Sequence, residues 1–351
     1  MSTNGSREKS VTIVGAGSWG TALAVSLASK DVPVRLWARR EEAAKQIRDD
    51  RHNPTYLPDV VIPESIEVTS NLEKAVEGSD FWVFATPSQA VRSVAEQLSE
   101  FAAEDHLVVS VAKGIENETL LTTTGVLHEA LPRVPLGSLG VLYGPSHAEE
   151  VAVGVPTAVV VSAHDLAAAE IMQDVFMTST LRVYVNPDII GVEIAGSVKN
   201  VLAIAAGIVE GIGYGDNAKA ALITRGLDEI RRLGMAMGAN QSTLSGLAGI
   251  GDVVVTCMSK LSRNRYFGEQ IGKGRTLSEI EAEMTMVAEG VRTTKSAYEL
   301  SRRYHVEMPI TEGVYACLFE GKRPDVVIKE LMSRTAKRED WLPETLREAA
   351  L

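Results

Sequence analysis

The segment Gly15-Ala16-Gly17-Ser18-Trp19-Gly20 constrains this chain more than any other. It follows the short apolar run Val11-Thr12-Ile13-Val14 and leads into a helix-like stretch, Thr21 to Ser29. In that strand-to-helix setting each glycine of G-x-G-x-x-G has a physical job. Gly15 permits a tight turn, Gly17 lets the backbone approach a pyrophosphate, and Gly20 lets helix and strand pack closely. The unpaired N–H groups and dipole at the helix start then face an anion. The chain is thus expected to open with a strand–helix–strand unit that binds a dinucleotide.

The following sequence extends that unit. Val34-Arg35-Leu36-Trp37 and Phe81-Trp82-Val83-Phe84-Ala85 are the next apolar runs, and Leu107 to Val111, Leu139 to Tyr143 and Thr157 to Ser162 continue the series. Helix-like segments, Glu41 to Asp49 and Ser88 to Phe101, lie among them. Short, continuously apolar strands alternating with helices predict an α/β fold with a doubly wound, mostly parallel sheet. The character changes near Asn186-Pro187, beyond which Ala, Leu, Glu, Arg and Met dominate and the pattern is helical. The reading divides the chain into a mobile tail at 1–10, a dinucleotide-binding domain at 11–187 and an all-α domain at 188–338. The remainder, 339–351, is read as a tail whose final stretch is a short amphipathic helix or frayed.

Composition excludes several classes. With 35 Lys and Arg against 46 Asp and Glu, the formal charge is −11, a field that repels nucleic acid and anionic membranes. An anionic substrate then needs a local basic cluster. The polar segment Met1 to Ser10 has no apolar core of a signal peptide. The long apolar run Ile194 to Val209 carries Lys199 and Asn200 in its middle, so it is expected as a buried helix, not an integral membrane segment. Cys257 and Cys317 give no disulfide framework, which places the chain in a reducing compartment. Six histidines are scattered without ligand spacing, so no metal is expected.

Several segments carry chemistry. NAD-specific proteins place Asp or Glu after the second strand, but this strand is followed by Arg39-Arg40. Two guanidiniums suit the 2′-phosphate of NADP, the competing reading being solvated surface charge. Lys113-Gly114 and Gly144-Pro145-Ser146 follow strands, at the carboxyl edge where open α/β sheets bind ligands. Lys199 sits among small apolar residues, and burial lowers a lysine's pKa toward the range useful for proton exchange with a hydroxyl. The competing reading is a structural lysine paired with Glu193 or another carboxylate. Asp252, after Leu247-Ala248-Gly249-Ile250-Gly251, is placed to orient Lys199 or to cap a helix. Ser262-Arg263-Asn264-Arg265 gathers two guanidiniums, a hydroxyl and an amide, the best phosphate pocket in an acidic chain, the competing reading being a solvated basic turn.

Together GAGSWGTALA, VAKGIE, YGPSHAEE, AGSVKNVLAIAAGI, LAGIGD, SRN and VAEGV occur in an order that resembles the bacterial-type NAD(P)-dependent glycerol-3-phosphate dehydrogenases. The resemblance covers roughly residues 11 to 338 and implies an N-terminal Rossmann domain, a helical C-terminal domain and an active site between them. By motif, Lys199 resembles the family's general base for alcohol oxidation, with Asp252 as its partner. Lys113, Gly144, Ser146, Lys199, Asp252, Ser262, Arg263 and Asn264 match substrate-contacting positions. Ser18, Trp19, Arg39, Arg40, Lys113, Ala148, Arg263, Val287 and Glu289 match cofactor positions, beside Gly15, Gly17 and Gly20. The implied cofactor is NADP or NAD, the implied substrate pair dihydroxyacetone phosphate and sn-glycerol 3-phosphate, and the implied role cytoplasmic supply of glycerol 3-phosphate for phospholipid synthesis. A homodimer is compatible with the sequence, which does not fix the oligomeric state. Two alternatives stand beside this: a related 3-hydroxyacid dehydrogenase, and a nicotinamide-sensing regulator that kept the fold.

Overall fold

A computed structural model describes residues 10–284 and 288–335. Eight strands form one sheet: β1 (Val11–Val14), β2 (Val34–Trp37), β3 (Ile66–Thr69), β4 (Phe81–Phe84), β5 (Leu107–Ser110), β6 (Leu139–Tyr143), β7 (Thr157–Ala163) and β8 (Leu181–Val185). Their order is β3-β2-β1-β4-β5-β6-β7-β8, so the chain reverses direction across the sheet between β1 and β4. All neighbours are parallel except β6 and β7. The mostly parallel, doubly wound sheet is as expected. The reversal at β1 and β4 is the topological switch point, where the carboxyl edge opens a crevice for ligands.

The central strands β1 and β4 are buried throughout, which is why they read as unbroken apolar runs. Two strands escaped the sequence reading. In β3, Glu67 is exposed, and in β8, Arg182 and Tyr184 are exposed between buried neighbours. Both are edge strands with one wet face, so each alternates instead of running apolar. The expected tails at 1–10 and 339–351 lie outside the described residues except for Ser10, whose carbonyl accepts from Ser79 Oγ at 2.9 Å.

Beyond β8 the described chain is helical. The long helix Ile189–Ile212 is apolar on every side, and 94% of its most apolar stretch is buried inside the fold. It is therefore the central helix of the second core, around which the helices Asp216–Ala236, Asp252–Met258, Arg263–Gly272 and Glu289–Arg303 gather. Its closest neighbour is Arg263–Gly272. A side chain on Gly207 would stand 1.9 Å from the Arg265 carbonyl oxygen, and one on Gly268 would stand 2.0 Å from that of Ile204. Two backbones in contact fix the start of that helix, with Arg263 and Asn264, beside Lys199 and Asn200.

Candidate active site

A cavity of about 750 Å3 runs from the glycine loop to the central helix, along the carboxyl edge of the sheet. One end of it is backbone. Gly15 has φ +126°, and a Cβ there would lie 2.7 Å from the Ala85 carbonyl oxygen. A Cβ on Gly20 would strike the Gly15 oxygen at 2.0 Å, so Gly20 acts through packing and not on the cavity wall. Around Gly17 nothing lies within 4 Å of a Cβ position. The helix Ser18–Ala28 has no side-chain cap, leaving its first N–H groups for an anion. Among the described residues Trp19 Nε1, Thr86 Oγ1 and His147 Nε2 are buried without a hydrogen-bond partner, and all three residues line the cavity. Bare backbone, a helix N-terminus without a side-chain cap and these buried polar atoms fit the pyrophosphate and polar edges of a nicotinamide dinucleotide. Arg39 and Arg40 are exposed and line the same end, with Ala43 and Gln46 behind them.

The other end is a buried ion cluster. Asp252 opens the helix Asp252–Met258 and is 1% exposed. The wide turn before it, Leu247–Gly251, is closed by Gly251 N–H donating to the Gly246 carbonyl, five residues back. Lys199, 5% exposed, donates to Asp252 Oδ1 and to Thr256 Oγ1 at 2.7 Å. Lys113 donates to Asp252 Oδ2 at 2.7 Å and to the Gly144 carbonyl at 2.8 Å. One carboxylate therefore holds two ammonium groups, and each ammonium keeps a third N–H for another partner. Burial pulls the Lys199 pKa down to about 7; Asp252 opposes that shift, and Lys113 reinforces it. His147 is also pushed below the usual imidazole range, first by burial and then by Lys199.

The SRN cluster opens differently from the expectation. Arg263 lines the cavity, is exposed, and makes no hydrogen bond or ion pair among the described residues. Arg265 points the other way and is spent on Glu210 at 2.8 Å, Glu269 at 3.3 Å and the Ser259 carbonyl at 2.9 Å. The cluster thus turns one guanidinium toward the cavity, not two, because residues two apart on a helix do not share a face. Ser262 Oγ caps the helix by accepting from Arg265 N. Asn264 donates to Asn200 Oδ1 at 2.9 Å and accepts from Gly290 N at 2.9 Å, while Asn200 donates to the Lys113 carbonyl at 3.2 Å.

Residues 10–169 match the profile described as NAD-dependent glycerol-3-phosphate dehydrogenase N-terminus, and residues 188–329 match its C-terminus counterpart. The chain belongs to the NAD-dependent glycerol-3-phosphate dehydrogenase family. A glycerol-3-phosphate dehydrogenase [NAD(P)+] of Salinibacter ruber is 60% identical over 97% of this chain and 99% of that protein. One of Chlorobium phaeobacteroides is 54% identical over 94% and 98%. The crystal structure of glycerol-3-phosphate dehydrogenase from Coxiella burnetii superposes with a TM-score of 0.89 at 37% identity, covering 93% of this chain and 99% of that one.

Within this dehydrogenase, most of the expected residues meet at one cavity. Gly15, Gly17, Ser18, Trp19, Arg39, Arg40, Lys113, Ser146, Ala148, Lys199, Asp252, Ser262, Arg263, Asn264 and Glu289 line it. Gly144 is a correction: it is not on the wall. At φ +136° its carbonyl turns back to accept from Lys113 and from Ser146 Oγ, so it supports the wall from behind. Glu289 also has a structural duty, accepting from Ser88 N at 3.3 Å and from Ser88 Oγ across the two halves. Val287 lies outside the described residues. Lys199 does not pair with Glu193, which has partners of its own.

Two contributors were not singled out in the sequence. Thr256, one turn after Asp252, accepts a hydrogen bond from Lys199; the spacing of four on a helix start was the available signal. The loop Asn53-Pro54-Thr55-Tyr56 lines the cofactor end. Asn53 Nδ2 donates to the Ala16 carbonyl and to Thr21 Oγ1, both at 2.9 Å, and Ser18 Oγ donates to the Tyr56 carbonyl at 2.7 Å. An Asn-Pro turn signals a loop, but nothing local says that it folds back onto the glycine loop.

Proposed function

We infer that this chain reduces dihydroxyacetone phosphate to sn-glycerol 3-phosphate with NADPH or NADH, and runs the reverse oxidation. The observation that carries the reading is the buried Lys113–Asp252–Lys199 cluster, opening on the cavity that also holds the bare Gly17 backbone and Arg263.

Bound at the glycine loop, the nicotinamide dinucleotide supplies the hydride that C2 of the ketone takes. Lys199 gives a proton to the oxygen of C2 as that carbon is reduced, and in the oxidation takes it back. Asp252 holds the Lys199 ammonium with Thr256, so the one remaining N–H has a fixed direction. Lys113, tied to Gly144 and Asp252, presents its remaining N–H to the same anionic substrate. Arg263 binds the phosphate in a two-pronged contact, with Ser262, Asn264 and Ser146 around it. Ser18, Trp19, Ala148 and the Gly15–Gly17 backbone hold the dinucleotide, and Arg39 and Arg40 take its 2′-phosphate when it is NADP. Holding donor carbon and ketone together is worth about 7–11 kcal/mol over free encounter.

The test is the initial rate of NADPH oxidation with dihydroxyacetone phosphate, against unphosphorylated dihydroxyacetone and a short 3-ketoacid. Rapid, phosphate-dependent consumption is expected. Preference for the 3-ketoacid, or no turnover at all, would overturn the reading. The same reading places the protein in the cytoplasm as a source of glycerol 3-phosphate for glycerophospholipids. Every side chain named above comes from one chain, so a homodimer is a separate proposal that light scattering decides.

A further inference from the structure

Glu193 is a buried carboxylate outside the cluster. It lies in the central helix, 2% exposed, and makes no ion pair among the described residues. Its carboxylate is met by four donors instead. Oε1 accepts from Thr123 Oγ1 at 3.1 Å and Thr124 N at 2.9 Å; Oε2 accepts from Thr122 Oγ1 at 2.8 Å and Thr124 Oγ1 at 2.7 Å. These threonines begin the helix Thr123–Ala130, which has no side-chain cap from its own N-terminal residue. Glu193 supplies the negative end from the other half of the molecule.

The cage leads to the ion cluster. Thr123 Oγ1, whose hydrogen goes to Glu193, packs 3.2 Å from Tyr143 Oη, and the Tyr143 hydroxyl donates to the Ala112 carbonyl, next to Lys113. The Tyr143 ring lies 5.9 Å from Lys113 Nζ, and the Gly144 carbonyl beyond it accepts a hydrogen bond from Lys113. On the central helix, Gly196 sits one turn after Glu193, where a Cβ would strike the Tyr143 ring at 2.5 Å. Asn200 follows one turn later on that face and holds the Lys113 carbonyl. A single helix face thus carries the anchor, the tyrosine clamp and the grip on Lys113, with Lys199 beside it.

We propose that Glu193 is a positioning residue: caged by Thr122, Thr123 and Thr124, it sets Lys113 against Lys199 through Tyr143 and the Ala112 carbonyl. This rests on the reading of Lys199 as the proton donor in ketone reduction. The charged or titratable groups around Lys199 are Asp252, Lys113, His147 and Cys257. Of these, Lys113 is the one the relay places, and its positive charge helps keep the Lys199 pKa low. Loss of the anchor lets Lys113 drift, and the Lys199 pKa then rises.

The experiment compares Glu193→Ala, Glu193→Gln and Tyr143→Phe with the wild type, measuring kcat for dihydroxyacetone phosphate, KM for NADPH, the pH profile and the melting temperature. Glu193→Ala is expected to lower kcat by about 10–100-fold, the scale set by misplacing a reacting group. Its alkaline limb moves to higher pH, and KM for NADPH stays put. Glu193→Gln is expected to recover most of the loss. Its carbonyl can face Thr124 N, and its NH2 can face the Thr122 and Thr124 hydroxyls, which turn to accept. Tyr143→Phe cuts only the relay and is expected to shift the limb the same way with a smaller loss of rate. Should Glu193→Ala fail to fold, Tyr143→Phe decides. A wild-type rate and an unmoved pH limb in folded Tyr143→Phe would overturn the proposal. So would a Glu193→Ala protein that melts earlier yet keeps kcat and pH profile. A wild type that ignores dihydroxyacetone phosphate strikes at the functional reading instead.

Discussion

The two ends of the cavity are built in opposite ways. At the cofactor end the wall centres on the backbone of one continuous stretch, Gly15 to Trp19, flanked by the loop at 53–56 and by exposed arginines. At the substrate end it is buried charge brought together across long separations: Lys113 and Asp252 are 139 residues apart, and Lys199 and Asp252 are 53 apart. A pyrophosphate is a constant part of any dinucleotide and can be met by N–H groups that need no tuning. A proton donor must have a particular pKa, and only burial beside chosen charges gives one. The first kind of wall tolerates loss of single contacts, whereas in the second each group sets the state of the others.

The largest effect should therefore come from the middle of the cluster. Lys199→Ala is expected to lower kcat by about 100-fold or more, the usual scale for general acid–base groups. NADPH binding, followed by fluorescence titration, is expected to remain normal. Weakened NADPH binding with near-normal kcat would erase the contrast between the two ends. The wild-type pH profile sharpens the same point. The folded Lys199 pKa is about 7, below the ordinary lysine value. Ketone reduction needs the ammonium, so kcat in that direction is expected to fall as pH rises through about 7. Alcohol oxidation needs the neutral amine, so its kcat is expected to fall as pH drops through the same value.

Arg263 comes next. Arg263→Lys keeps the charge but loses the two-pronged contact. A charge-assisted hydrogen bond is worth roughly 1.5–3 kcal/mol, or about tenfold to over a hundredfold in kcat/KM for dihydroxyacetone phosphate. Unphosphorylated dihydroxyacetone should be affected far less. Equal losses on both substrates would move Arg263 out of the phosphate site and make Lys113 the next candidate.

The same contrast decides what the sequence could reveal. The cofactor wall was legible because its glycines are neighbours and their spacing carries the geometry. Lys199 was legible because a lysine inside an apolar helix has few fates. The rest depended on distance. That Lys113 and Lys199 share Asp252 cannot be read from segments 53 and 139 residues apart. Nor could the two arginines of Ser262-Arg263-Asn264-Arg265 be sorted until the helix start was fixed and Arg265 found beside Glu210. In the fold, the buried strands were visible as apolar runs, while β3 and β8 were hidden by their wet faces. The close crossing of the helices at Gly207 and Gly268 was not read from the sequence, because only the packing shows that these glycines face each other's helix.

Two glycine substitutions separate shape from contact at the cofactor end. Gly20→Ala puts a methyl 2.0 Å from the Gly15 oxygen, so it is expected to destabilise the fold, by about 1–3 kcal/mol if the loop yields. Gly17→Ala meets nothing within 4 Å and is expected to fold normally while raising KM for NADPH. Thermal melting and NADPH titration of both variants check this, and a Gly17→Ala protein that melts early with intact NADPH affinity would reverse the assignment.

The smallest effect is expected at Arg39 and Arg40, the residues proposed to meet a 2′-phosphate. Both are exposed, and an exposed ion pair is worth about 1 kcal/mol or less because water and salt screen it. Replacing both with Ala should raise KM for NADPH by roughly tenfold, two such contacts acting together. KM for NADH should hardly change, since the ribose hydroxyl offers no charge to lose. Adding salt should raise KM for NADPH more than KM for NADH for the same reason, but it should leave the Lys199-dependent pH limb in place, because buried charges are screened far less. Salt thus acts as a probe of the two ends without any mutation. If it moved the pH limb as much as the cofactor preference, the ion cluster would be open to solvent, and the contrast between the two walls would fail.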